Sequence, residues 1–344
     1  MYTFEELMCP VWDTDTIYDE SLTMVEKDGI AEASLLYTPS ENLSVTSADK
    51  LHVYEEGRDY QIQGNTLSLT PDSRIFRFTE ADLCFETPLP GQCFPTRDGR
   101  YSLFGEGHFF HDRQIAVTYR KKEGDFSYIP PFAGALLPKT MEKLQKKEPL
   151  KLVLYGDSIS EGYNSSGFTL TTPFLPPYGA LAAEKLRRHY DTSVQFVNPS
   201  LGGMATDWGM ANARNLVGDQ KPDLAIIAFG MNDNLTGADF AKNIQIIRER
   251  ILEISPHTEF ILCATTMPNM ILSAFYHHQD EYEEALTSME GMGTAIASFY
   301  RLQKALFEKK RFIDDTRNNV NHPNDFMVRC HAQLIVQMLT APEK

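Results

Sequence analysis

The chain has 344 residues, of which 42% are hydrophobic, 11% aromatic and 23% charged. That is too apolar for a disordered protein and long enough for two packed domains at roughly 150 residues each. Acidic residues outnumber basic ones 47 to 32 for a net charge of −15, and residues 1 to 100, with 19 acids and 7 bases, hold −12 of it, a field that argues against nucleic acid or an anionic membrane as a partner.

The first residues, Met1 to Pro10, place acids where a secretory leader would be basic and then apolar, and no later run approaches the roughly 18 apolar residues of a membrane span. A soluble, cytoplasmic chain is the expectation. The cysteines Cys9, Cys84, Cys93, Cys263 and Cys330 are odd in number and widely spaced, which speaks against a disulfide framework or a structural zinc site.

Up to about residue 138 the chain reads as short β-rich runs: 33–37, 51–54, 66–69, 75–78 and 114–119. Turn signals such as Gln63-Gly64-Asn65, Thr70-Pro71-Asp72-Ser73 and Arg97-Asp98-Gly99 punctuate them. This spacing predicts an all-β sandwich domain over 1–138. Residues 139–149 are polar and lysine-rich, end in proline, and read as a surface helix or linker.

From Leu150 the character changes. Unbroken apolar runs at 150–155, 194–197, 224–229, 260–264 and 311–313 alternate with helix-period segments at 177–190, 206–217, 239–254, 288–309 and 324–340. Apolar strands without polar interruption are buried on both faces, so residues 150–344 are expected to form a three-layer α/β domain around a parallel sheet. The segment 265–288 is long for a connection and is expected to be a lid or wall.

Four short blocks carry chemistry. Gly156-Asp157-Ser158 follows the first strand of this domain, Asn198-Pro199-Ser200-Leu201-Gly202-Gly203 the second and Gly230-Met231-Asn232-Asp233 the third, while Asn321-His322-Pro323 precedes the last helix. Ligands of open α/β sheets bind outside the carboxyl ends of the strands. A serine, free backbone N–H groups, an asparagine amide and a histidine therefore converge there, and acyl transfer needs such a set: nucleophile, base and oxyanion donors. Neither a G-x-S-x-G elbow nor a phosphate-binding glycine loop is present. The remaining histidines, among them His108, His111, the His277-His278 pair and His331, lack metal-ligand spacing and read as solvated or structural.

These four blocks, in this order, resemble the SGNH (GDSL-type) hydrolases. The resemblance implies a flavodoxin-like domain and a serine esterase that needs no cofactor and no metal. Ser158 would be the nucleophile, His322 the general base, and the N–H groups of Ser158 and Gly203 with the Asn232 amide the oxyanion hole. The family's D-x-x-H pattern is broken, because Asn319 stands three residues before His322. Asn319 is then the expected orienting group, with a Ser-His dyad held by a backbone carbonyl as the other possibility. The order of a jelly-roll-like β-domain before the hydrolase domain resembles acetyl-xylan-type carbohydrate esterases, which implies removal of a small acyl group such as acetyl from a carbohydrate or related alcohol. Trp208 is the expected sugar-stacking residue, with Phe174, Tyr178, Phe275 and Tyr276 as further walls. The alternatives are a lipase or thioesterase for longer acyl chains and a catalytically lapsed carbohydrate-binding protein.

Overall fold

The structure is a computed structural model that describes residues 2–341. The N-terminal region begins with one capped helical turn, α1 (Phe4–Leu7), and continues as short strands: β1 (Thr16–Thr23), β2 (Val25–Lys27), β3 (Ile30–Ser34), β4 (Pro39–Ser47), β5 (Val53–Tyr54), β6 (Tyr60–Gln63), β7 (Thr66–Leu69) and β8 (Phe78–Thr79). A second turn, α2 (Glu80–Leu83), leads to β9 (Cys84–Phe85), β10 (Cys93–Pro95), β11 (Tyr101–Leu103) and β12 (Gln114–Lys121). They assemble into sheets ordered β1-β12-β4-β5, β6-β7-β3-β2-β8 and β10-β11-β9. Pairing is antiparallel apart from the two-residue match of β8 with β2. The expected strand at 75–78 shrinks to its last residue because side chains pin the preceding turn. Ile75 N–H donates to Ser73 Oγ (3.2 Å), and Arg74 grips the buried Asp59 carboxylate through Nε (2.9 Å) and its own N–H (3.1 Å).

The lysine-rich connector is a docked helix, α3 (Pro138–Gln145), with proline in its first turn. Its exposed face carries the lysines, but Met141 and Leu144 are buried, and the Lys139 and Thr140 N–H groups donate to the Glu259 carboxylate at 3.1 and 2.8 Å. A carboxylate thus satisfies the orphan donors of the helix start.

Beyond it lie β13 (Leu150–Gly156), α4 (Ser158–Glu161), α5 (Tyr178–Tyr190), β14 (Val194–Val197), α6 (Thr206–Leu216), β15 (Leu224–Ala228), α7 (Gly237–Leu252), β16 (Glu259–Ala264), α8 (Tyr282–Thr287), β17 (Thr294–Ser298), α9 (Phe299–Phe307), α10 (Phe312–Asp315) and α11 (Asp325–Leu339). The strands form a wholly parallel sheet in the order β14-β13-β15-β16-β17, which is the flavodoxin-like arrangement. Alternation along each strand divides its side chains between two cores. Leu152, Leu154, Leu224, Ile226, Ile261 and Cys263 face α5, α9, α11 and the N-terminal sheets, while Val153, Tyr155, Ala225, Ile227, Phe260 and Leu262 face α6, α7 and α8. Both faces are covered, which explains the unbroken apolar runs.

One strand was expected in the wrong place. The fifth strand is β17, inside the segment expected to be helical over 288–309, and Arg311 caps α10, to which Phe312 and Ile313 belong. The sequence of β17, TAIAS, is small and alanine-rich, so it continues a helical pattern without packing as one. Gly293 sits at φ +83° just before it, and Ser298 Oγ accepts from Arg301 N–H at 3.0 Å to start α9 afresh. At Arg311, its backbone N–H (3.2 Å) and guanidinium (Nε, 3.0 Å) both reach Asp314 Oδ2 and close a helical turn.

Besides the apolar core that the two halves share, the seam between them holds buried charge. Lys310, buried, donates from Nζ to Glu20 Oε1 of β1 (2.8 Å) and lies 3.9 Å from Asp315. Tyr119 O–H (2.7 Å) and Leu36 N–H (2.8 Å) also donate to Glu20. On the other side, Asp314 Oδ1 accepts from Thr23 N–H at 2.8 Å.

Candidate active site

The site is built at the carboxyl ends of β13, β14 and β15, where the strand order reverses. Gly156 ends β13 because no side chain fits: a Cβ there would lie 2.3 Å from the Ala228 carbonyl oxygen. Asp157 then caps α4 by accepting from Ile159 N–H (3.0 Å), and the turn presents Ser158 as the first helical residue. Burial pushes the Asp157 carboxyl up to about 7, against N–H donation from Ile159 and Met231. It supports the turn.

The loop after β14 is laced onto this turn. Asn198 Nδ2 donates to Ser160 O (2.8 Å), Leu201 N–H to Gly156 O (3.2 Å) and Gly202 N–H to Glu161 Oε2 (2.6 Å). Gly203 follows at φ +77° with open space around it. Among the described residues no protein acceptor takes the N–H of Ser158 or of Gly203. After β15, Asn232 donates from Nδ2 to Met204 O at 3.0 Å, which ties its amide to the Gly203 loop.

His322 comes from the loop between α10 and α11. Asn318 Oδ1 accepts from the N–H groups of Val320 (2.9 Å), Asn321 (3.0 Å) and His322 (3.0 Å), while Thr316 Oγ1 donates to His322 O at 3.0 Å. Asn324 caps α11 by accepting from Met327 N–H (3.2 Å). The imidazole then lies with Nε2 2.9 Å from Ser158 Oγ. Both residues are buried, at 5% and 7% exposure, and the Tyr163 ring lies beside the imidazole at 5.4 Å between centroids. The structure thus brings Ser158 and His322 into contact and ties Asn232 to the Gly203 loop, which is itself fastened to the Ser158 turn.

Asn319 does not join them. It adopts φ +62°, and its amide donates to Ser102 Oγ (3.1 Å) and Leu103 O (2.9 Å) of β11 while its oxygen accepts from Asn269 Nδ2 (3.1 Å). With every polar atom of the side chain engaged there, nothing is left for the imidazole. His322 Nδ1 is buried and makes no hydrogen bond within the described residues, and the Oε1 of Glu106 stands 3.6 Å from it. Glu106 was not singled out in the sequence. Its one local signal is the pair of flanking glycines, Gly105 and Gly107, the latter at φ +71°. Partial burial raises its carboxyl, but the facing His322 together with Asn318 and Asn164 outweighs this and holds it below the usual carboxylate value.

Trp208, half-buried on α6, packs on Tyr155 (5.5 Å between centroids) and Phe229 (6.4 Å). Tyr178 is buried with its hydroxyl 2.9 Å from Ser160 Oγ, whereas Phe174 is exposed. The long segment 265–288 includes α8 and is fastened to the N-terminal half. Arg97 N–H donates to Ile271 O (2.9 Å), Ser273 N–H to Pro95 O (3.0 Å), and Phe94 meets Phe275 edge-on at 5.1 Å. Among the described residues, no group of three or more His, Cys, Asp or Glu side chains is arranged to hold a metal ion, and no helix is long and apolar enough to cross a membrane.

A flavodoxin-like sheet with a serine and a histidine in contact at its switch point defines the class: an open α/β protein that presents a hydroxyl at a strand end. Residues 154–326, half of the chain, match the model of the GDSL-like lipase/acylhydrolase family, and the chain belongs to that family. An arylesterase from Vibrio mimicus is 30% identical over 106 residues, which is 29% of this chain and 49% of that protein. Among solved structures, a two-domain esterase active on acetylated mannans, co-crystallised with mannopentaose, superposes with a TM-score of 0.50 at 19% identity, covering 61% of this chain and 54% of its own. An acetylxylan esterase from Geobacillus stearothermophilus gives a TM-score of 0.45 at 17% identity over 55% of this chain and 94% of its own. The chain spans about half the length of the first two relatives, and the likeness to the mannan esterase is one of fold.

Proposed function

We propose that this chain is a serine carboxylic-ester hydrolase that removes a small acyl group, acetyl first, from a carbohydrate or related alcohol. The observation that carries the reading is the 2.9 Å contact of Ser158 Oγ with His322 Nε2 in a buried setting. Two N–H groups without protein acceptors lie on the segments that adjoin it.

In this reading His322 Nε2 takes the Ser158 hydroxyl proton as Oγ bonds to the ester carbonyl carbon. The N–H groups of Ser158 and Gly203 and the second hydrogen of the Asn232 amide donate to the oxyanion. Collapse breaks the bond to the alcohol, which leaves with the proton from His322. Water then repeats the sequence on the acyl-enzyme and releases the acid. Loss of the base by protonation makes hydrolysis fall at acid pH.

The fold shared with an esterase active on acetylated mannans supports carbohydrate O-acyl esters as the substrate class. With it goes a division of the chain into a jelly-roll-like accessory domain at 1–138, a connector at 139–149 and a hydrolase domain at 150–344. A second reading, hydrolysis of longer acyl chains, draws on Phe168 and Leu201, which stand 40% and 44% exposed next to Tyr163 and Gly202. Hydrolysis of p-nitrophenyl acetate by the wild type and by Ser158→Ala tests the nucleophile: activity is expected to vanish, and activity that survives the substitution overturns the reading. A faster rate on octanoate than on acetate would favour the second reading.

A further inference from the structure

We propose that Glu106, delivered by the N-terminal region, is the positioning acid of His322. The proposal rests on the reading of Ser158 and His322 as nucleophile and base. An imidazole that takes a proton at Nε2 works best when an acceptor at Nδ1 fixes its tautomer and stabilises the imidazolium. The local sequence places Asn319 where that acceptor is usually found, and Asn319 is spent on β11. Among the described residues Nδ1 is left buried without a hydrogen bond, and the carboxylate of Glu106 faces it at 3.6 Å. Catalytic hydrogen bonds are commonly long before substrate is bound.

Two observations make this more than a chance approach. Asn318, whose side-chain oxygen gathers the backbone N–H groups of the histidine loop, donates from Nδ2 to Glu106 Oε1 at 3.3 Å, so one residue holds both the loop and the acid. Asn319 clamps Ser102 and Leu103, the strand end from which Glu106 is reached three residues later. The two asparagines together hold the N-terminal segment against the catalytic loop. The acid missing from the loop is supplied by the other half of the molecule, and the site is incomplete without it.

Other groups around the imidazole are accounted for. Ser158 occupies Nε2 and Tyr163 lies beside the ring. Asp315 lines the same small space as His322, Thr266 and Gln303, but its ion-pair partner is Lys310 at 3.9 Å, whereas the carboxylate within 4 Å of the imidazole is that of Glu106. Asp325, at the start of α11, is paired with Arg317 at 3.1 Å, and Asp157 is turned to the α4 backbone. Glu106 is the carboxylate placed at Nδ1.

The experiment is the pH dependence of kcat and kcat/KM for p-nitrophenyl acetate in the wild type, Glu106→Gln, Glu106→Asp and Ser158→Ala. Glutamine keeps an acceptor for Asn318 and removes the charge, so a merely structural role would survive it. The expected result for Glu106→Gln is a kcat lower by about 10- to 100-fold with KM within about twofold. Glu106→Asp should recover part of the rate. A Glu106→Gln profile that superimposes on the wild type within twofold overturns the proposal while leaving the hydrolase reading intact. Activity that persists in Ser158→Ala overturns the hydrolase reading, and the proposal with it.

Discussion

The two halves of the molecule hold their shape by different means. The parallel sheet is apolar on both faces, and the loops at its carboxyl ends are fixed by short hydrogen bonds between neighbouring strand ends, as where Asn198, Leu201 and Gly202 fasten onto the Ser158 turn. The antiparallel half shares part of that apolar core and adds charged and polar contacts at the seam: Glu20 against Lys310, Thr23 against Asp314, and Glu106 beside His322. An apolar core tolerates small shifts, whereas a buried ion pair is costly once one member is lost. The difference makes the seam the sensitive part of the fold, and it places one flank of the active site on that seam.

The largest effect on stability is expected from breaking the seam. Lys310→Met leaves Glu20 buried without its cation and should cost about 3 to 5 kcal/mol in denaturant unfolding. A loss below about 1 kcal/mol would mean that the seam is no more demanding than the sheet.

On the sheet side, Asn232→Ala removes one oxyanion donor and should lower kcat by about 10² to 10³, or about 3 to 4 kcal/mol of barrier, with the unfolding midpoint nearly unchanged. An unaltered kcat would take Asn232 out of the chemistry.

The seam should also titrate. Lys310 faces Glu20 and Arg311 faces Asp314, which leaves Asp315, among the described residues, with neither carboxylate oxygen hydrogen-bonded and its carboxyl pushed up to about 8 by burial. Because the folded chain holds this proton above the pH at which the unfolded chain releases it, the contribution of Asp315 to stability is greatest in acid and declines as pH rises from about 4 toward 8. Asp315→Asn should flatten that decline in unfolding curves taken across the range, and an equal slope in the variant would show that another group is responsible.

The smallest change is expected at Trp208. Phenylalanine there keeps an aromatic ring against Tyr155 and Phe229, so kcat/KM on any ester should stay within about threefold while stability falls by about 1 kcal/mol. A large rise in KM for a carbohydrate ester alone would place Trp208 in the cleft.

The same contrast explains what was legible in the sequence. Strands buried on both faces read directly, so β13, β14, β15 and β16 were located within a residue or so. β17 escaped because its alanines suit a helix as well as a strand. The Ser158, Gly203, Asn232 and His322 segments read well because each is local to a strand end or a helix start. Asn319 was misplaced because its position in the sequence suggested the imidazole, while its left-handed backbone and its hydrogen bonds aim it at β11. Glu106 could not be found by spacing, since only the folding of the first half onto the second brings it near His322.

The central claim, a reactive Ser158 activated by His322, is tested most directly by covalent trapping. Incubation with an alkyl fluorophosphonate followed by intact-mass and peptide mass spectrometry should show one phosphonyl adduct, carried by the peptide containing Ser158, and much slower labelling in His322→Ala. An adduct on another residue, or none after prolonged incubation of the folded wild type, would contradict it.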